Sequence, residues 1–300
     1  MTGVQTCALP IYVSPQVWAS RPGRATAMAR DFDLLLSIFP FEKDWYAKHA
    51  PGLQVEFVGH PMVGRFANYD LRFTRVRSRR RKEADSVPLI SSPPPYIGGY
   101  TGGDAPTPSE NRKPQVLLLP GSRTAELQRH LPVMLGAWTL IKASLPAARA
   151  KMVLPNETLA EVARSVHAPA DVGLQVGNLA DALAHADLAI ASTGTVTMEC
   201  ACFGVPTVAL YKTSWSTYQI GKRIISVKFL AMPNLLANEE IFPEFIQHAA
   251  TPENLSRAAL DLLNDQARRH RIKTRLAEVI TSLGGPGASQ RAAKVISEIL

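Results

Sequence analysis

The sequence predicts an α/β fold of the doubly wound kind, on three observations. Short apolar runs at Gln115-Val116-Leu117-Leu118-Leu119, Met152-Val153-Leu154, Gly173-Leu174-Gln175-Val176, Leu188-Ala189-Ile190 and Thr207-Val208-Ala209-Leu210 have the length of buried strands. Helical spacing separates them, as where Leu127, Leu131, Leu135, Trp138 and Ile141 fall on one face. The chain has 300 residues, beyond the usual ~100–200 of one domain, so two lobes are expected.

The first lobe, residues 12–70, opens with a loop at Tyr12-Val13-Ser14-Pro15. A helix over Arg24–Arg30, the strand Leu34–Ile38, a helix over Glu42–His49 and the strand Val55–Val58 follow, a βαβ pattern. About 50 residues supply only about two strands where a doubly wound sheet has five or six, so this lobe reads as a remnant. Residues 71–113 carry Arg79-Arg80-Arg81-Lys82, Pro93-Pro94-Pro95 and Gly98-Gly99 without regular apolar spacing, and are expected to be a mobile linker or insertion. Residues 114–283 form the second lobe, ending in helices around Leu255–Leu263 and Ile272–Ile280. Gly284-Gly285-Pro286-Gly287 then introduces a last helix within 284–300.

Composition excludes several classes of protein. With 46% hydrophobic and 19% charged residues the chain can bury a core. Three cysteines cannot pair completely and no His/Cys cluster has zinc spacing, so a reducing compartment and no metal site are expected. No apolar run reaches about 18 residues, and Met1–Ile11 has neither the basic start nor the long apolar stretch of a secretory leader. The net charge of +8 is uneven: residues 1–82 hold 13 Lys/Arg against 6 Asp/Glu, while residues 83–300 hold 20 against 19. A basic end suits nucleic acid, an anionic membrane or a phosphorylated substrate. The Arg79–Lys82 run has no interleaved aromatics, which argues against a nucleic-acid partner.

Two turns have the composition of anion sites. Gly121-Ser122-Arg123 lies between a buried strand and an amphipathic helix, where backbone N–H groups, the helix dipole and a guanidinium would meet a phosphate. Thr193-Gly194-Thr195 repeats the arrangement, and Glu199 one turn on could accept ribose hydroxyls. The plain alternative for each is an ordinary strand-to-helix turn with a stabilising acid. Because both turns follow strands of one parallel sheet, they are expected at its carboxyl edge, sharing one ligand. Asn234 and Gln247 are amides among apolar neighbours that could read a base or sugar, although capping is commoner. Asp31-Phe32-Asp33 reads as a strand-edge acid rather than a metal site, Cys200 and Cys202 as buried small side chains, and His60 as structural unless a cleft claims it.

Several segments together carry a family resemblance. Tyr12-Val13-Ser14-Pro15-Gln16-Val17-Trp18-Ala19, Phe39-Pro40-Phe41-Glu42, Phe57-Val58-Gly59-His60-Pro61, Leu119-Pro120-Gly121-Ser122-Arg123 with Glu126, Gly194-Thr195 with Glu199, and Pro233-Asn234 with Pro243-Glu244 and Gln247 occur in the order found in lipid-A-disaccharide synthases. The chain resembles that family from Tyr12 to Leu300 apart from 71–113, whereas Met1–Ile11 is read as a non-family extension. Departures are Thr193 for a usual serine, Asn238-Glu239 for a usual Gly-Arg, and Ser20 for a frequent aromatic.

The resemblance implies a GT-B glycosyltransferase, with two Rossmann-like lobes across a cleft, the first incomplete. It further implies transfer from UDP-2,3-diacylglucosamine to 2,3-diacylglucosamine 1-phosphate with inversion, no cofactor, and peripheral attachment to the cytoplasmic face of a Gram-negative inner membrane. Gly121, Ser122, Arg123, Thr193, Gly194, Thr195, Glu199, Asn234 and Gln247 would bind the donor. Ser14, Pro15, Trp18 and His60 would face the acceptor side. The catalytic base is expected upstream of Tyr12, with His60 a weak substitute, so weak UDP binding and little turnover are expected. Two alternatives stay open: another GT-B UDP-GlcNAc transferase or epimerase, and a non-catalytic UDP-sugar-binding protein.

Overall fold

The computed structural model describes residues 9–66, 113–166, 168–224 and 227–299. The Arg79–Lys82 run and most of the expected 71–113 insertion lie outside them.

The first sheet has three parallel strands in the order β1-β2-β3: Pro10–Tyr12, Leu34–Ser37 and Gln54–Phe57. Helices α1 (Val17–Ser20), α2 (Arg24–Asp31), α3 (Glu42–His49) and α4 (Pro61–Arg65) accompany it. Strand β2 is apolar and wholly buried, as its Leu-Leu-Leu run demands. Strand β1 straddles the expected boundary at residue 12 and was not read from the sequence. Asp33 fixes its entry, since its Oδ2 accepts the Leu9 N–H at 3.0 Å.

The second sheet is six-stranded and parallel, in the order β6-β5-β4-β7-β8-β9. Its strands are β4 (Gln115–Leu119), β5 (Arg149–Leu154), β6 (Val172–Val176), β7 (Leu188–Ser192), β8 (Thr207–Tyr211) and β9 (Glu244–Ile246). This is the strand order of a Rossmann fold, with the direction of winding reversing between β4 and β7. The helices are α5 (Thr124–Ser144), α6 (Glu157–Ser165), α7 (Leu179–Ala184), α8 (Thr195–Cys202), α9 (Trp215–Ile224), α10 (Met232–Ala237), α11 (Pro252–Asn264) and α12 (Gln266–Ser282). Trp138, Leu131 and Ile141 of α5 are fully buried, the face that the spacing predicted. Cys200 and Cys202 are buried with thiols pushed up to about 12 by desolvation, which makes them inert packing residues.

The last helix, α13 (Ala288–Ser297), returns to the first lobe. Ala292 packs with Leu34, Leu36 and Val58, and Arg291 Nε donates to the Val58 carbonyl at 2.8 Å. His60 N–H donates to the Leu283 carbonyl at 2.9 Å, so the lobes meet where the chain crosses back.

Candidate functional site

The turns after β4 and β7 are neighbours because those strands pair directly, Leu119 opposite Ala191. They open on one cavity of about 470 Å³. Gly121, Ser122, Arg123, Thr193, Gly194, Thr195 and Glu199 all line it. Both glycines are required. At Gly121 (φ +121°) a Cβ would lie 2.7 Å from Glu126 Oε2 and 3.3 Å from Ser192 Oγ. Gly194 (φ 134°, ψ −157°) occupies backbone space essentially closed to other residues.

Three helices begin at this cavity without a side-chain cap: α5, after Arg123, α7, after Asn178, and α8, after Gly194, the last two lying across the cavity from each other in the sheet order. Helix α6, which starts just after Pro155 at the far side of the cavity, is capped by Asn156, as α11 and α12 are by Thr251 and Asp265. At the two glycine turns, the first-turn N–H groups and the positive dipole ends of α5 and α8 are thereby left to attract an anion. Arg123 is exposed at the rim, with Nη1 3.1 Å from Glu126 Oε1. The far side of the cavity is less polar, formed by Val153, Leu154 and Pro155 after β5 and by Gly177, Asn178 and Leu179 after β6. Gln175 shapes that turn by donating from Nε2 to the Gly177 and Asn178 carbonyls at 2.9 and 3.1 Å.

The first lobe contributes Arg65, whose Nη1 lies 3.3 Å from Glu199 Oε1. Burial pushes the Glu199 carboxyl above its usual range, and the guanidinium pulls it partly back. Behind the β4 turn stands His130, fully buried. Its Nε2 accepts the Lys212 N–H at 3.0 Å, so Nδ1 carries the proton and donates to the Pro120 carbonyl at 2.8 Å. Burial holds its pKa below the ordinary imidazole value. Arg65, His130 and the β5 and β6 turns were missed in the sequence. Glu126 was visible as part of the first turn's motif.

The remaining expected site residues lie outside the cavity. Asn234 is fully buried and saturated: Nδ2 donates to the Phe242 carbonyl and Glu244 Oε1, both at 2.7 Å, and Oδ1 accepts the Ile241 and Phe242 N–H groups. Gln247 clamps Thr213, accepting its N–H at 2.7 Å and donating to its carbonyl at 3.2 Å. Both amides fasten the backbone around β9, away from the residues that line the cavity.

The acceptor-side candidates form a structural network in the first lobe. Trp18 Nε1 donates to Glu42 Oε1 at 2.9 Å, Ser37 Oγ donates to Glu42 Oε2 at 2.6 Å, and Ser14 Oγ shares a hydrogen bond with the Tyr46 hydroxyl at 2.8 Å. The adjacent Pro15 carbonyl accepts the Val17 N–H at 2.6 Å. His60 caps α4, Nδ1 accepting the Met62 N–H at 3.2 Å, and burial lowers its pKa.

Two Rossmann-like lobes with an anion cavity at the reversal point of the larger sheet define an α/β protein of the GT-B class. The S. aureus MnaA–UDP co-structure shares the fold at TM-score 0.51 and 12% identity, over 91% of this chain and 61% of that one. A UDP-GlcNAc 2-epimerase from Neisseria meningitidis bound to UDP-GlcNAc does so at 0.51 and 10%, over 90% and 62%. The chain belongs to the lipid-A-disaccharide synthetase family, which matches residues 7–84 and 108–299, and with the family comes its class, the hexosyltransferases. The lipid-A-disaccharide synthase of Solibacter usitatus is 34% identical over 96% of this chain and 68% of its own length. That of Syntrophus aciditrophicus is 34% identical over 94% and 67%. The match begins at residue 7, inside the segment expected to be foreign, and its gap, 85–107, is narrower than 71–113.

Proposed function

We propose that the chain transfers a 2,3-diacylglucosamine unit from its UDP derivative to 2,3-diacylglucosamine 1-phosphate, forming the β-1,6-linked disaccharide of lipid A and releasing UDP. The observation that carries this is the meeting on one cavity of two glycine turns, each opening into an uncapped helix start. Cleavage of the sugar–phosphate bond builds negative charge on the diphosphate, which Arg123 and the starts of α5 and α8 stabilise where it develops. Across the sheet the ligand runs from this polar end toward Pro155, Asn178 and Leu179, a surface suited to a uracil ring, with Glu199 beside the ribose. Both carboxylates lining the cavity are paired with a guanidinium, so the cavity binds the leaving group and leaves the base unassigned.

The acylated substrates place the reaction at a membrane surface. No described helix is long and apolar enough to cross a membrane, so attachment is peripheral in this proposal, on the cytoplasmic face of the inner membrane. The basic excess available for anionic lipid lies in residues 72–82, with seven Lys/Arg and no Asp/Glu. Residues 9–66 hold six Lys/Arg against five Asp/Glu, so that part of the first lobe is nearly neutral.

The test presents both lipids in anionic vesicles to the purified chain and measures disaccharide and UDP by mass spectrometry. Slow formation of product from the acylated donor, in keeping with the unassigned base, and none from UDP-GlcNAc is expected. Turnover of UDP-GlcNAc instead would favour another UDP-sugar enzyme, and UDP binding without product would leave a binding protein.

A further inference from the structure

The cavity holds two guanidiniums from opposite lobes. Arg123 stands on the β4 turn beside Glu126, whereas Arg65 ends α4 of the first lobe and crosses to Glu199. These two cations and two carboxylates cancel, yet a nucleoside diphosphate brings further negative charge, so binding must redistribute the existing pairs. The Arg65 side chain is 69% exposed, and an ion pair so open to water is weakly held. The Glu199 side chain is only 13% exposed and stays at the cavity wall.

The backbone at Arg65 is fixed even though its side chain is not. Phe66 packs edge-on against Phe203 of the second lobe at 5.1 Å, holding the end of α4 at the rim. The guanidinium sits 5.3 Å from the Phe66 ring, within cation–π range.

We propose that Arg65 is a donor-binding residue supplied across the cleft by the first lobe: its guanidinium moves from Glu199 to the diphosphate when ribose hydroxyls take over the Glu199 carboxylate. This rests on the donor-site reading above and adds to it a diphosphate contact from the other lobe. Donor binding and lobe contact become linked, because the residue that pairs with Glu199 across the lobes is also the one that holds the diphosphate.

Calorimetric titration of the 300-residue chain with UDP and with uridine tests this in wild type, Arg65→Ala and Arg65→Lys, with thermal melts to check folding. Arg65→Ala is expected to weaken UDP about tenfold and uridine less than about twofold, as for loss of one charge-assisted contact to phosphate. Arg65→Lys falls between on UDP, keeping the charge but not the fork. Equal weakening of both ligands, or unchanged UDP binding, would overturn the assignment of Arg65 alone. A wild-type chain that binds no UDP would overturn the donor site and this inference together.

Discussion

At the residue scale, His130 ties turns that are distant in sequence. It joins the Pro120 carbonyl to the Lys212 N–H through its two ring nitrogens, which only the neutral ring can do. Its pKa is lowered in the fold, so the unfolded chain binds a proton more readily. The stability it contributes is therefore fully present above the unfolded value of about 6.5 and is lost as pH falls through the lower folded value. His130→Leu should cost about 1–3 kcal/mol at pH 8, by stranding buried partners. In urea titrations of both proteins that difference should shrink below pH 6.5; a pH-independent difference would contradict this account. No local pattern marks His130, because its partners lie 10 and 82 residues away. Arg65 and Glu199, 134 residues apart, were equally unreadable as a pair.

Helices α5 and α8 show a conflict between stability and function at the scale of the element. Arg123 occupies the N-cap of α5 with extended backbone and makes no capping bond, while Glu126 sits at the third helical position. Arg123→Ser would complete a capping box and is expected to stabilise the chain by about 0.5–1 kcal/mol. The same change should weaken UDP about tenfold by removing a guanidinium from the phosphate end. A melting curve and a UDP titration on one sample check the opposed signs, and a variant gaining stability with unchanged affinity would contradict the anion site. The two turns were legible because glycine and hydroxyl residues between a buried strand and a helix have few other reasons to recur. The strands were legible where Leu34-Leu35-Leu36 or Val116–Leu119 made apolar runs. The three-residue strands β1 and β9 carry no such run, and Glu244–Ile246 was visible only as part of the segment between Asn234 and Gln247. Asn234 and Gln247 stayed ambiguous because an amide that fastens backbone has the same sequence signature as one that reads a base.

On the scale of the whole molecule, α13 follows the second lobe in sequence and packs on the first. Arg291 donates to the carbonyls of Val58, Pro286 and Gly285, at 2.8, 2.7 and 2.8 Å, and Ala292 covers Leu34 and Leu36. Arg291→Ala should cost about 1–3 kcal/mol. Hydrogen exchange should place the loss in β2 and β3 rather than β4 to β8; uniform loss over both sheets would show instead that the lobes unfold as one unit.

That crossing sets an order of events during synthesis. Val58 and Arg291 are 233 residues apart, so at about 5–20 residues per second the ribosome needs roughly ten to fifty seconds to make the second after the first. Throughout that interval the Leu34–Leu36 face of a nascent sheet waits without its cover, and a chaperone that shields it would be needed most until Ala292 has been made.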